Sequence, residues 1–142
     1  MADINAWNAK LMEDFRQEGG KVGGNFEGVN LLVLHTTGAK TGEARMNPLV
    51  YQVAGPNYVV FASGGGSSRN PDWYYNLLAC PFAAIEVGTE TKGVTARVAE
   101  GEERDWYWDL QKRSIPAFAD HETKTSRLIP VVVLEPDPEE PT

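Results

Sequence analysis

Apolar residues recur along the chain with two different periods, and each change of period marks the border of an element. Between Asp3 and Glu18, the residues Ile4, Trp7, Leu11, Met12 and Phe15 fall three, four and one apart. That is a helical stripe, with Asp3 placed to cap it and Gly19-Gly20 to stop it. A cover over one end of the core is the first reading of this amphipathic helix. Peripheral contact with a membrane or a partner is the alternative, because Trp7 and Phe15 suit either. Beyond a glycine-bearing stretch to Gly28 the period falls to two, and Val29 to Thr37 is apolar and β-branched. The turn Thr37-Gly38-Ala39-Lys40-Thr41-Gly42 returns the chain through Ala44 to Ala54, and Gly55-Pro56-Asn57 turns it again into Tyr58 to Ser63. Loops this short predict antiparallel neighbours and argue against a βαβ unit.

A second glycine loop, Gly64 to Asn70, leads into Pro71 to Ala79, with Asn70 as the expected N-cap, Pro71 at the first helical position and Pro81 closing the helix. Phe82 to Val87 and Thr91 to Ala99 alternate on either side of Gly88-Thr89-Glu90, a second hairpin with Val94, Ala96 and Val98 on one face. Glu100 to Ser114 predicts a helix whose acids lie early and bases late, with Trp106, Tyr107 and Leu110 as its buried face. Ile129 to Leu134 predicts the last strand. Glu135 to Thr142 carries four acids and three prolines in eight residues, too polar to pack. The expected organisation is therefore a helix and loop over residues 1–28, a barrel domain over residues 29–135, and a disordered acidic tail over residues 136–142. Five or six strands in hairpins with peripheral helices make an α+β fold, and a small antiparallel β-barrel closes such a sheet without exposed edges.

Length and composition narrow the chemistry. The 142 residues, 42% apolar and 23% charged, fit one globular domain with its own core. One cysteine, Cys80, offers no internal disulfide and no thiolate cluster, and no signal-like segment opens the chain, so a reducing cytoplasmic setting is expected. No run reaches the roughly 20 apolar residues that span a bilayer. The net charge of −7 argues against nucleic acid as a partner, and any anionic ligand must be held locally.

Local cations are available. The Walker and dinucleotide patterns both fail, yet Lys40 and Arg45 flank a glycine turn, and Arg69 sits in a glycine loop that opens a helix. Either loop alone could be an ordinary turn; together, on an acidic chain, they point to one polyanionic ligand. Side chains for catalysis are sparse. His35 lies inside an apolar strand and reads as a satisfied barrel residue, the Asp120-His121-Glu122 cluster reads as a solvated loop, and no spacing suggests a metal site. A bound redox cofactor would supply the chemistry that these residues lack.

The blocks Thr36-Thr37-Gly38-Ala39-Lys40-Thr41-Gly42, Arg45, Asn47-Pro48-Leu49, Ala62-Ser63, Asn70-Pro71-Asp72-Trp73-Tyr74-Tyr75-Asn76-Leu77 and Arg127-Leu128-Ile129-Pro130-Val131-Val132-Val133 occur in order. In these the chain resembles the deazaflavin-dependent nitroreductase family, from about Val29 to Leu134. The resemblance implies a split β-barrel of the FMN-binding type that binds coenzyme F420, an 8-hydroxy-5-deazaflavin. It implies actinobacterial relatives, cytoplasmic or loosely membrane-associated, some of which reduce quinones. Lys40 and Arg45, with Thr41, Asn47 and Arg69 nearby, would hold the phosphate and oligoglutamate tail. Pro48, Leu49, Ala62, Ser63 and Gly64 would border the ring, and Trp73 and Asn76 would line the tail's path.

Members active on nitro compounds look to have tyrosines at positions matching Val50, Ile115, Phe118 and His121, and this chain has none there. A pocket walled by Val50, Ile115 and Phe118 favours a planar apolar acceptor such as a quinone. The expected activity is hydride transfer from reduced F420 to a quinone or nitro compound, with the proton arriving from water, Ser63 or His121. The alternatives are a protein that binds or sequesters F420 without turnover, and an FMN-binding split barrel. A monomer and a homodimer are equally compatible with the pattern.

Overall fold

The computed structural model of the protein describes residues 31–63 and 69–137. The first helix, Gly64 and its neighbours to Ser68, and residues 138–142 lie outside the described residues. Six strands alternate with three helices: β1 (Leu31–Thr37), β2 (Ala44–Ala54), β3 (Asn57–Phe61), α1 (Asp72–Ala79), β4 (Phe82–Val87), β5 (Glu90–Val98), α2 (Gly101–Ser114), α3 (Ala117–Thr123) and β6 (Val131–Pro136). All strand pairs are antiparallel, and the sheet closes in the order β1-β2-β3-β6-β5-β4.

Alternation along the strands divides the apolar residues between two cores. Leu32, Leu34, Val60, Ile85, Val94, Val132 and Leu134 point inward and form the barrel interior with Trp73 and Leu77 of α1. Val59, Phe61, Val131 and Val133 point outward and are covered by Trp108 of α2 and Phe118 of α3. Both faces of Val59–Phe61 in β3 and Val131–Leu134 in β6 are therefore buried, and these stretches are correspondingly unbroken apolar runs. Each fully buried large side chain contributes roughly 1.5–3 kcal/mol relative to exposure.

The pairing register gives the barrel two unlike ends. At one, the tight turns at Gly55 and Gly88 reverse the chain in the left-handed region, with φ of 62° and 59°. At the other lie the β1–β2 turn next to Thr37↔Ala44, the segment after Phe61, and the segment leading into its partner Val131. The β1–β2 turn and the end of β3 that leads to Ser63 thus belong to the same end.

Four expectations need correction. Residues 117–123 form α3 rather than a solvated loop, because Phe118 is buried and Glu122 accepts a hydrogen bond from the Trp108 indole. On α2 the buried positions are Arg104, Trp108 and Gln111, while Trp106 is 65% exposed. Asn70 does not cap α1; Pro71 holds that position with no side-chain cap. β6 runs through Pro136, and the Asp137 N–H donates to the Gly93 carbonyl at 2.9 Å, so the tail begins later than composition indicates. Among the described residues, no helix is long and apolar enough to cross a membrane.

Candidate active site

The β1–β2 turn is built by its own backbone. Gly38 N–H donates to the Glu43 carbonyl at 2.7 Å, and Gly42 N–H to the Gly38 carbonyl at 2.9 Å. Gly42 has φ of 73°, a conformation that a side chain would strain. The Thr41 hydroxyl accepts the Glu43 N–H at 3.2 Å, so it braces the turn. The turn is then fastened to α1: Ala39 N–H donates to Asn76 Oδ1 at 2.9 Å, and Asn76 Nδ2 donates to Thr36 Oγ1 at 3.1 Å. Asn76 is buried, so both ends of its amide are used where loss of a partner would be costly. Arg45 stands opposite Thr36 on β2, and directly paired residues project from the same face. The fastened turn therefore presents Lys40, exposed and without an ion pair among the described residues, close to Arg45. Arg45 itself lies 3.3 Å from exposed Glu43, a weak pair that an anionic ligand can displace.

A second group gathers where β3 ends. Ala62 N–H continues the β3–β6 ladder to the Pro130 carbonyl at 2.9 Å and sets Ser63 beyond it. Ser63 is buried, and its Oγ lies 3.2 Å from His121 Nδ1. With the imidazole neutral and its proton on Nε2, the Ser63 hydroxyl donates to Nδ1; with the proton on Nδ1, Ser63 Oγ accepts. Burial, reinforced by the Lys124 charge, pushes the His121 pKa below the ordinary 6.5, so the neutral form prevails at pH 7. Phe118 stacks 5.0 Å from the His121 ring and 5.9 Å from Phe61. α3 is pinned in turn, since Glu122 accepts from both the Trp108 indole and Lys112 Nζ. Those bonds hold the Glu122 carboxyl below its usual range.

The structure places the residues expected at the site in separate groups. Val50, Ile115 and Phe118 belong to the core on the outer face of the barrel, Phe118 buried and the other two partly buried against that core. Leu49 and Asn47 face the opposite way, Leu49 packing on the barrel interior; Pro48 pairs with Val33 between them. Trp73 is in the core and Asn76 lies beneath the turn, so in this structure neither lines an open path. Arg69 is exposed, on the stem of the second loop. Arg127 was not among the expected site residues; its guanidinium donates to the Ser63 carbonyl and the Asn70 side chain. His35 pairs with Glu86 at 2.6 Å on the outer sheet face, as a satisfied barrel residue would. A cleft of about 210 Å3 beside α1, lined by Leu77, Leu78, Pro81, Ala96 and Val132, has one cation, Arg97, already paired with Glu103 and Glu135.

Comparison with known proteins bears on this geometry. The family model described as F420H(2)-dependent quinone reductase matches residues 7–136. A curated F420H(2)-dependent quinone reductase of Mycobacterium tuberculosis is 39% identical over 124 residues, covering 84% of this chain and 83% of the relative. Among solved structures, one described as an F420-H2 dependent reductase is 40% identical with a TM-score of 0.68, covering 74% of this chain and 93% of that one. Another, described as a domain-swapped dimer, is 34% identical with a TM-score of 0.70, covering 93% and 96%.

Proposed function

The chain belongs to the F420H(2)-dependent quinone reductase family and is an oxidoreductase whose cofactor is coenzyme F420; from that premise we propose that the loop-bearing end of the barrel is its active site and that the acceptor is a quinone. The single observation behind this reading is the bond from Ala39 N–H to Asn76 Oδ1, which draws the turn carrying Lys40 onto the helix that follows Ser63.

The residues present fit the coenzyme. Lys40 on the β1–β2 turn and Arg45 at the start of β2 are two exposed cations suited to a phosphate and carboxylate tail, and Asn76 already fixes that turn. On the outer face of the barrel, Val50 and Ile115, part-exposed against the core that holds Phe118, offer apolar surface to a flat acceptor. When bound in its reduced form, F420 supplies the hydride. A quinone that takes the hydride needs one proton to become the hydroquinone. Ser63 Oγ would donate it, and His121 would replace it when Nδ1 carries a proton. Phe118 and Trp108 keep water from the buried side of the imidazole. The absence of tyrosines from the four wall positions leaves no phenol to grip a nitro group, which is why quinones rank above nitro compounds. Residence in the cytoplasm belongs to the same proposal.

The test is direct. Purified protein mixed with F420H2 and a soluble naphthoquinone should show acceptor-dependent recovery of the oxidised deazaflavin absorbance, with nitroaromatics turned over more slowly. Tight F420 binding without acceptor-dependent oxidation would replace the enzyme with a carrier. Preferential retention of FMN would overturn the coenzyme assignment for this site.

A further inference from the structure

Arg127 lies four residues before β6, in the segment between α3 and that strand, yet its guanidinium ties together the two stems of the connection between β3 and α1. One nitrogen donates to the Ser63 carbonyl at 2.7 Å and another to Asn70 Oδ1 at 2.5 Å, across sequence separations of 64 and 57 residues. Asn70 Nδ2 in turn reaches the Tyr75 hydroxyl of α1 at 3.5 Å. Arg127 is half-buried, and desolvation is what lowers its pKa, so a cation is being held here at some cost. A planar fork of fixed N–H directions can bridge two such acceptors at a set spacing; the single ammonium of a lysine cannot reproduce that geometry.

Ser63 is held through the carbonyl that follows its Cα, which Arg127 takes, and one residue earlier the Ala62 N–H anchors the chain to the Pro130 carbonyl. These two bonds bracket the residue and limit how far the Ser63 Cα–Cβ bond can turn while Oγ faces His121 Nδ1. We propose that Arg127 is the positioning residue of this site, holding the stems at Ser63 and Asn70 at a fixed separation and keeping Ser63 Oγ aimed at His121. The inference rests on the assignment of the active site made above. It adds that a residue outside the Ser63–His121 pair decides how well that pair is aligned.

The experiment compares the full-length protein with R127K, R127Q and N70A. In the coenzyme-free protein, amide exchange of Ser63 and Asn70 should be at least tenfold faster in R127Q and R127K, while β2 and β5 amides exchange as in the wild type. Turnover of F420H2 with naphthoquinone should fall by tenfold or more in kcat with a smaller change in F420 affinity. The pH limb due to His121 should move, since its partner is no longer held. N70A should show the same effects more weakly, and N70A/R127Q should be no worse than R127Q alone. Uniformly faster exchange with an unchanged kcat and pH limb would make Arg127 merely structural and overturn the proposal. Should R127Q fail to fold, N70A decides: wild-type exchange and kcat in that variant would overturn it. A wild-type protein that binds F420 but reduces no quinone would overturn the functional reading, and the exchange measurement would still decide the role of Arg127.

Discussion

At the scale of single residues, the site depends on one imidazole kept neutral by burial. The lowered pKa of His121 means that the unfolded chain takes up its proton first as pH falls. Stability from this group is therefore fully present above pH 6.5 and declines below it until the depressed folded pKa is passed. In His121→Gln the fall in Tm between pH 7 and pH 5 should be smaller than in the parent, as thermal unfolding would show. Catalysis has the opposite sign. If the protonated imidazole resupplies Ser63, kcat should rise as pH drops through that same pKa, and the limb should vanish in the glutamine variant. Ser63→Ala should lower kcat on the order of 10- to 100-fold with F420 affinity little changed, as stopped-flow turnover and coenzyme fluorescence would separate. Equal kcat in that variant would leave water as the proton source.

The elements that carry these residues are held by a few buried polar contacts. α3 has only seven residues, too short to persist by propensity, and it stays in place because Phe118 packs on Phe61 and Glu122 takes the Trp108 indole. That dependence is why its sequence, Ala-Phe-Ala-Asp-His-Glu-Thr, did not announce a helix: the stabilising partners lie on α2 and β3. α2 shows the same concealment in its phase. Its buried positions 104, 108 and 111 have helical spacing, but two are Arg and Gln, so the apolar Trp106 and Leu110 suggested another face. Arg104 earns its burial by donating to the Ile129 carbonyl at 2.8 Å. The hairpins were legible because turn glycines and period-two runs act locally. Asn76→Leu tests the fastening of the turn. It leaves the Ala39 N–H and Thr36 hydroxyl without their partner, and should cost about 1–3 kcal/mol of stability, measurable by urea unfolding. It should also weaken F420 binding by letting the Lys40 turn drift.

Across the whole molecule, the proposed function rests on the barrel's two unlike ends. One end carries the tight turns at Gly55 and Gly88; the other carries the Lys40 turn and the end of β3 that leads to Ser63. A protein of net charge −7 that binds a polyanion must do so through a local field, and that field falls off over about 10 Å at 0.1 M salt. Lys40 on a fastened turn and Arg45 at the start of β2 meet this requirement. Their presence was readable in the sequence as two cations near glycines. The fastening of the turn to α1 was not, because it comes from one asparagine 37 residues away. The most direct measurement is a fluorescence titration of F420 into the wild type and the Lys40→Ala/Arg45→Ala double variant at low and high salt. Saturable wild-type binding should weaken about tenfold or more in the variant, with a shallower salt dependence, since two charge-assisted contacts are lost. Equal affinity and equal salt slopes in the two proteins would place the coenzyme elsewhere and contradict the assignment of this end of the barrel.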